Sequence, residues 1–302
     1  MILIADSGST KTDWTLLHSS VRQGGNVVVA TFHTQGITPV HQTAGDIRQI
    51  LTVELLPQLS TFPRSKLIEL GLLESPLLQG MSVFFYGSGC TPDQVPMMSQ
   101  LIAEVLSAKT VEVHSDLTAA ARALCQHEAG IACILGTGAN SCLYDGTQIV
   151  QNTPPLGYIL GDEGGGAVLG RMFMNAIFKN PAYASIRDEF LAETKLTQAD
   201  IIQKVYREPL ANRFLATTSL FIVERQNNRL LRDLVIENFR EFFRKNIVPY
   251  KRPDLPVHFV GSMAHHYPAA LQEAAEAEGF HVMSIVQSPI DGLMAYHSGK
   301  TA

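Results

Sequence analysis

Three short stretches of this sequence combine glycine with small hydroxyl residues in a way that suits phosphate chemistry. The first, Asp6-Ser7-Gly8-Ser9-Thr10-Lys11-Thr12, follows the apolar run Met1–Ala5. Glycine and small hydroxyl residues let backbone N–H groups approach an anion closely, and the hydroxyls add donors. It is not a Walker A loop, because only Ser9 and Thr10 separate Gly8 from Lys11 and a strand pattern follows. The second, Gly136-Thr137-Gly138-Ala139-Asn140-Ser141, again follows an apolar run, Ile131–Leu135. The third is Gly261-Ser262 after Val257–Val260, a close-approach point suited to the base and ribose of a nucleotide. Each stretch also reads as an ordinary turn: hairpins use glycine and asparagine, and Gly261-Ser262 fits a strand-to-helix connection.

Carboxylates stand beside these turns. Asp116 ends the strand pattern Thr110–His114 and precedes an alanine-rich helix. Its side chain could cap that helix, or serve as a general base that takes a hydroxyl proton during phosphoryl transfer. Asp6 also ends a strand and suits a magnesium ion held through its water shell. Gly161-Asp162-Glu163-Gly164-Gly165-Gly166 sets an acidic pair among four glycines, which is entropically costly for mere packing. We read it as a substrate loop whose carboxylates accept hydrogen bonds from sugar hydroxyls; a flexible acidic loop or a helix start is the plainer alternative.

The elements that must position these residues follow the hydrophobic pattern. Strands are expected over 2–6, 13–18 and 26–33, then helical pattern over 43–59, with 63–78 left unassigned. A strand over 82–86, a helix over 95–106, a strand over 110–114 and a helix over 117–127 complete the first half. The second half restarts with strands over 131–135 and 141–144, a mostly helical centre over 167–243, and a strand over 257–260. A helix over 269–278, a strand over 282–286 and a closing helix with Pro289 in its first turn end the chain. Two strand–turn–strand units roughly 130 residues apart predict a duplicated architecture, since solenoid periods are far shorter. The expected domains are 1–116, with 288–302 packing back on it, and 117–287.

At 302 residues the chain suits two domains. Its net charge of -5 offers no basic footprint for nucleic acid, and no apolar run is long enough for a membrane span. No leader precedes the first strand, which leads to the expectation of a cytoplasmic protein. Cys90, Cys125, Cys133 and Cys142 contain no C-x-x-C pair, so a zinc or iron–sulfur site is not expected. His265 and His266 are adjacent, point apart on any regular element, and read as surface or loop residues.

Taken in order, DSGSTKT at 6–12, YGSGC at 86–90, HSDLTAAARAL at 114–124, ILGTGANS at 134–141, LGDEGGG at 160–166 and FVGSMA at 259–264 resemble a known set. They are similar to the N-acetylglucosamine kinase branch of the actin, Hsp70 and hexokinase superfamily, a grouping related to the BadF/BadG/BcrA/BcrD-type ATPases. The resemblance implies an α/β, two-lobed actin-like ATPase with duplicated ribonuclease H-like domains and an ATP cleft between the lobes. It implies ATP and Mg2+ as cofactors and phosphorylation of an amino sugar hydroxyl. Gly8, Ser9, Thr10, Lys11 and Thr12, with Gly136, Thr137 and Gly138, would bind ATP phosphates; Gly261 and Ser262 would lie on the adenosine side. Asp116 would be the catalytic aspartate, and Thr137 and Asp162, with Glu163 in the same loop, would contact sugar. Thr38 stands where those kinases commonly place a sugar-binding asparagine, and its shorter side chain lacks the amide's donor–acceptor pair. The alternatives are a kinase of another sugar such as N-acetylmuramic acid, a BadF-type ATPase that activates a partner enzyme, and a nucleotide-gated regulator. Whether the chain forms a homodimer is left open by the sequence.

Overall fold

The computed structural model describes residues 1–8, 10–20, 25–62 and 80–298; Ser9, the unassigned stretch 63–78 and the last residues of 288–302 lie outside these. The chain divides into two units, Met1–Gln126 with the C-terminal helix, and His127–Ser288.

In the first unit β1 (Ile2–Ser7) pairs antiparallel with β2 (Lys11–Ser20), which pairs antiparallel with β3 (Gly25–Gln35). On its other side β1 runs parallel to β4 (Ser82–Gly87), and β4 to β5 (Thr110–Ser115). The sheet order is therefore β3-β2-β1-β4-β5. A central strand is covered on both faces, which is why β1 is an unbroken apolar run in which Leu3, Ile4 and Ala5 are all fully buried. One face packs Trp14 and Phe85 against the helix Val95–Leu106, whose buried Met98, Leu101, Ile102 and Leu106 lie on one stripe. The segment expected to be helical over 43–59 runs from Ala44 to Ser60 through a π-helical turn, Ile50–Leu55, and is started by the Thr43–Asp46 capping box.

The opposite face is covered by the helices Asp116–Cys125 and Ile290–Ser298. Here Ile4, Leu17, Tyr86, Ala119, Ala123 and Leu293 form one buried cluster. The Tyr86 hydroxyl lies 2.8 Å from His297 Nε2 and accepts from Arg122 Nη1 at 2.9 Å, tying the last helix to the one that begins at Asp116. This packing moves the division of the chain from Asp116, where the sequence pattern puts it, to Gln126. Pro289 lies just before the last helix rather than inside it, its carbonyl accepting from Leu293 N–H.

The second unit repeats the plan. β6 (Gly130–Leu135) and β7 (Ala139–Tyr144) pair antiparallel, as do β7 and β8 (Ile149–Asn152). β6 is parallel to β9 (Val257–Val260), and β9 to β10 (Val282–Val286). Read from its far edge, β8-β7-β6-β9-β10, the sheet has the same sequence of pairings as the first, so the expected duplication is present. β8 is a short, largely exposed edge strand that the hydrophobic pattern does not announce. The helical centre packs its aromatic residues edge to face, with Phe173 and Phe221 each against Phe190 at 5.3 and 5.2 Å between ring centres. His265 is exposed and His266 half-buried, both in the last turn of the short helix Ser262–His266. Among the described residues no helix is long and apolar enough to cross a membrane.

Candidate active-site residues in each unit

In the first unit the parallel pairing sets Ser7 beside Gly87 and Gly87 beside Ser115, so three strands end in one row. Ligands of open α/β sheets gather at such carboxyl ends. Asp6 is one residue before this row and Asp116 one residue after it. Ser115, not Asp116, caps the following helix: its hydroxyl accepts from Thr118 N–H at 3.2 Å. Asp116 is instead the first helical residue, half-buried, and its Oδ1 accepts only the Leu117 N–H at 2.9 Å among the described side-chain hydrogen bonds. Burial raises its carboxyl above the ordinary 3.8, against the pull of that N–H and its own. Asp6 is also half-buried. Desolvation, then the charges of Asp13 and Asp116, push it up to about 6, while Lys11 opposes.

The β1–β2 turn is closed by Gly8 N–H donating to the Lys11 carbonyl at 3.0 Å. Thr12 does not face outward as a phosphate donor would. It is fully buried, its hydroxyl 2.7 Å from Ser7 Oγ and donating to the Gln35 carbonyl at 3.2 Å. Lys11 is exposed and paired with Asp13 at 2.7 Å, and Asp13 also meets His33 Nδ1 at 2.7 Å. Thr10 is exposed at the tip.

The loop after β3 is shaped by Gln42, whose Oε1 accepts Thr38 N–H at 2.6 Å and whose Nε2 donates to the Gly36 carbonyl at 3.0 Å. This leaves Thr38 buried with its hydroxyl lacking a protein partner among the described residues. An orphaned buried hydroxyl is unfavourable by about 1–3 kcal/mol, so a native one asks for a ligand or water. Ser88 N–H donates to the Ser7 carbonyl at 3.0 Å, which brings the turn 87–90 against the end of β1. The Thr38 side chain lies against Gly89 in that turn. The Cys90 thiol is buried and pushed up to about 12 by burial and by the Asp116 charge. The structure thus gathers Thr38, Cys90, Asp6 and Asp116 at one end of the sheet.

In the second unit the turn 136–138 is gripped by the helix Gly166–Lys179. Gly166 N–H donates to the Gly136 carbonyl at 2.8 Å and Ala167 N–H to the Thr137 carbonyl at 2.9 Å. With the carbonyls held behind, the N–H groups of Thr137 and Gly138 have no acceptor among the described residues, as an anion-binding turn requires. Gly165 lies so close that a Cβ there would sit 2.8 Å from the Gly138 carbonyl carbon. Gly261 approaches from the other side. Its φ is +121°, and a Cβ would fall 2.4 Å from the Leu135 carbonyl oxygen, so only glycine fits. Ser262 is exposed at the start of its helix.

The two acids of the glycine loop part company. Asp162 turns toward the turn 136–138, its Oδ2 only 2.6 Å from where a Gly138 Cβ would be. Burial raises its carboxyl, the nearby Glu163 charge adds to this, and the N–H groups of Gly157 and Ala139 oppose. Glu163 turns away: Lys245 Nζ lies 3.2 Å from its Oε1, and Asn246 Nδ2 donates to its Oε2 at 3.4 Å. It therefore anchors the π-helical turn Phe243–Ile247 rather than standing open to a ligand.

Asn238, which no motif contains, bears directly on the glycine loop. It is fully buried on the helix Arg229–Phe242, and its Oδ1 accepts Gly164 N–H at 3.0 Å. The only signal in the sequence is an asparagine interrupting an otherwise apolar stripe.

Over 100% of both chains the protein is 42% identical to a candidate N-acetylglucosamine kinase from Porphyromonas gingivalis, with a TM-score of 0.86. A candidate N-acetylglucosamine kinase from Chromobacterium violaceum shares the fold at 16% identity and a TM-score of 0.69, covering 98% of each chain. So does a ROK hexokinase from Thermus thermophilus, at 14% identity and a TM-score of 0.54 over 98% of this chain and 96% of that one. No family model and no curated protein matches the chain.

Proposed function

This chain belongs to the N-acetylglucosamine kinase-like family of the actin and hexokinase fold, and from that premise we propose that it transfers the γ-phosphoryl group of ATP to a hydroxyl of an amino sugar. The observation that carries this reading is Asp116, at the carboxyl end of β5, half-buried and relieved of capping by Ser115. A base must be unprotonated yet strong enough to take a proton, and a carboxyl raised by burial is the stronger base. As the sugar oxygen bonds to the γ-phosphorus, its proton passes to Asp116, the bond to the β-phosphate oxygen breaks and ADP leaves. The Thr38 hydroxyl is suited to hydrogen-bond the sugar, and the N–H groups of Thr137 and Gly138 to hold phosphate oxygens. Gly261 and Ser262 remain our assignment for the adenosine side.

The acidic donor set fits a magnesium ion. Burial, with added repulsion from Asp13 and Asp116, holds Asp6 up at about 6, and a divalent cation would relieve that repulsion. Asp6 would hold it through water, since no cluster of three ligating side chains exists among the described residues. When bound with ATP, magnesium neutralises charge on the phosphates. A cytoplasmic location, where ATP and free sugar meet, belongs to the same reading.

The test is product formation. With ATP and Mg2+, parallel incubations with N-acetylglucosamine, N-acetylmuramic acid and its anhydro form should yield one phosphorylated amino sugar by mass. No phosphorylated product from any of them would contradict the proposal.

A further inference from the structure

The glycine loop 161–166 is held from behind by a side chain outside every motif. Asn238 is fully buried, where an amide is strongly unfavourable unless both its ends are paired. Oδ1 accepts Gly164 N–H at 3.0 Å and Nδ2 donates to the Gly165 carbonyl at 3.4 Å. From there the hydrogen bonds continue without a gap. Gly165 N–H donates to the Asp162 carbonyl at 2.9 Å, Gly166 N–H to Gly136 and Ala167 N–H to Thr137. The same stretch of chain holds the other flank of the turn: the Asn246 carbonyl accepts from Ser141 Oγ at 3.3 Å and from Thr153 Oγ1 at 2.9 Å. Tyr250 adds its hydroxyl 2.7 Å from Ser141 Oγ.

We propose that Asn238 is a positioning residue, setting the path of Gly164–Gly166 and through it the orientation of Asp162 and of the turn 136–138. Two features separate this from a packing role. Among the described residues its side-chain hydrogen bonds go only to backbone groups of the glycine loop. Glycine, with the widest conformational freedom, is also the residue least able to hold that path unaided. The catalytic consequence rests on the kinase reading above; the effect on the loop does not.

The experiment compares Asn238→Ala and Asn238→Asp with the wild-type chain by amide hydrogen exchange. Asn238→Ala should lower protection at 164–167 at least about tenfold more than across the rest of the second unit. Asn238→Asp should be pH-dependent. A protonated buried carboxyl presents an acceptor to Gly164 N–H and a donor to the Gly165 carbonyl, so protection returns at acid pH and is lost on ionisation. Uniform loss of protection across the unit, unchanged protection at 164–167, or an Asp variant insensitive to pH would overturn the proposal. Should Asn238→Ala fail to fold, the Asp variant at two pH values decides alone. Local loosening in the variants, without sugar-dependent turnover in the wild type, would uphold the positioning role and reject the kinase reading.

Discussion

The Asp6 carboxyl should make the folded protein less stable than it could be. Its proton is held more tightly in the fold, at about 6, than in the unfolded chain, where 3.8 applies. A carboxyl raised on folding contributes its full stability at low pH and loses it as pH rises from 3.8 through 6. A rise of that size corresponds to about 3 kcal/mol against the ionised form. Solvent screening at a half-buried group reduces this to about 1–2 kcal/mol. Asp6→Asn keeps the shape and removes the charge, along with its repulsion by Asp13 and Asp116. The variant should therefore be about 1–2 kcal/mol more stable than wild type at pH 7.5, or about 3–8 °C in Tm. The advantage should vanish near pH 4, where both side chains are neutral. The same substitution should lower phosphorylation by removing the residue proposed to hold magnesium, a stability–function trade-off. Urea titrations at pH 4, 6 and 7.5 measure the first effect. A variant no more stable at pH 7.5, or equally stabilised at every pH, would refute the electrostatic reasoning.

Three further outcomes follow from the geometry. Because Asp116 must be ionised to accept a proton and burial raises it, the acid limb of kcat/KM against pH should lie clearly above 3.8; a limb at or below that value would contradict its role. Gly261→Ala should destabilise the second unit by about 2–4 kcal/mol, read by urea titration, because the Cβ meets a backbone oxygen at a φ alanine avoids. Glu163→Gln removes a partly exposed ion pair with Lys245, so stability should change by less than about 1 kcal/mol. Its kcat/KM for sugar should be unchanged, and a large loss would show that Glu163 reaches the substrate.

Much of this architecture was legible because central strands and amphipathic helices leave strong periodic signals. β9 and the helix Val95–Leu106 begin and end where the pattern puts them. Strand β8 was not legible, since an edge strand of four mostly exposed residues has neither apolar run nor alternation. The place of the division was missed because alanines that pack on the first sheet look the same as alanines that would start a new domain. The glycine turns and strand-end aspartates proposed for the site are legible by type and spacing. What they could not announce was partnership over distance. Thr12 looks like a phosphate ligand until Gln35 takes its hydroxyl, Glu163 looks like a sugar ligand until Lys245 takes its carboxylate, and Asn238 appears in no motif. Ser115 rather than Asp116 as the cap is a one-residue distinction that only backbone geometry makes.

The most direct test of the central claim is ADP release from MgATP with and without N-acetylglucosamine, for wild type and Asp116→Ala side by side. The account predicts sugar-stimulated release in the wild type and, in the variant, a loss of at least about a hundredfold in kcat with nucleotide binding retained. Sugar-stimulated release that survives in Asp116→Ala would contradict it.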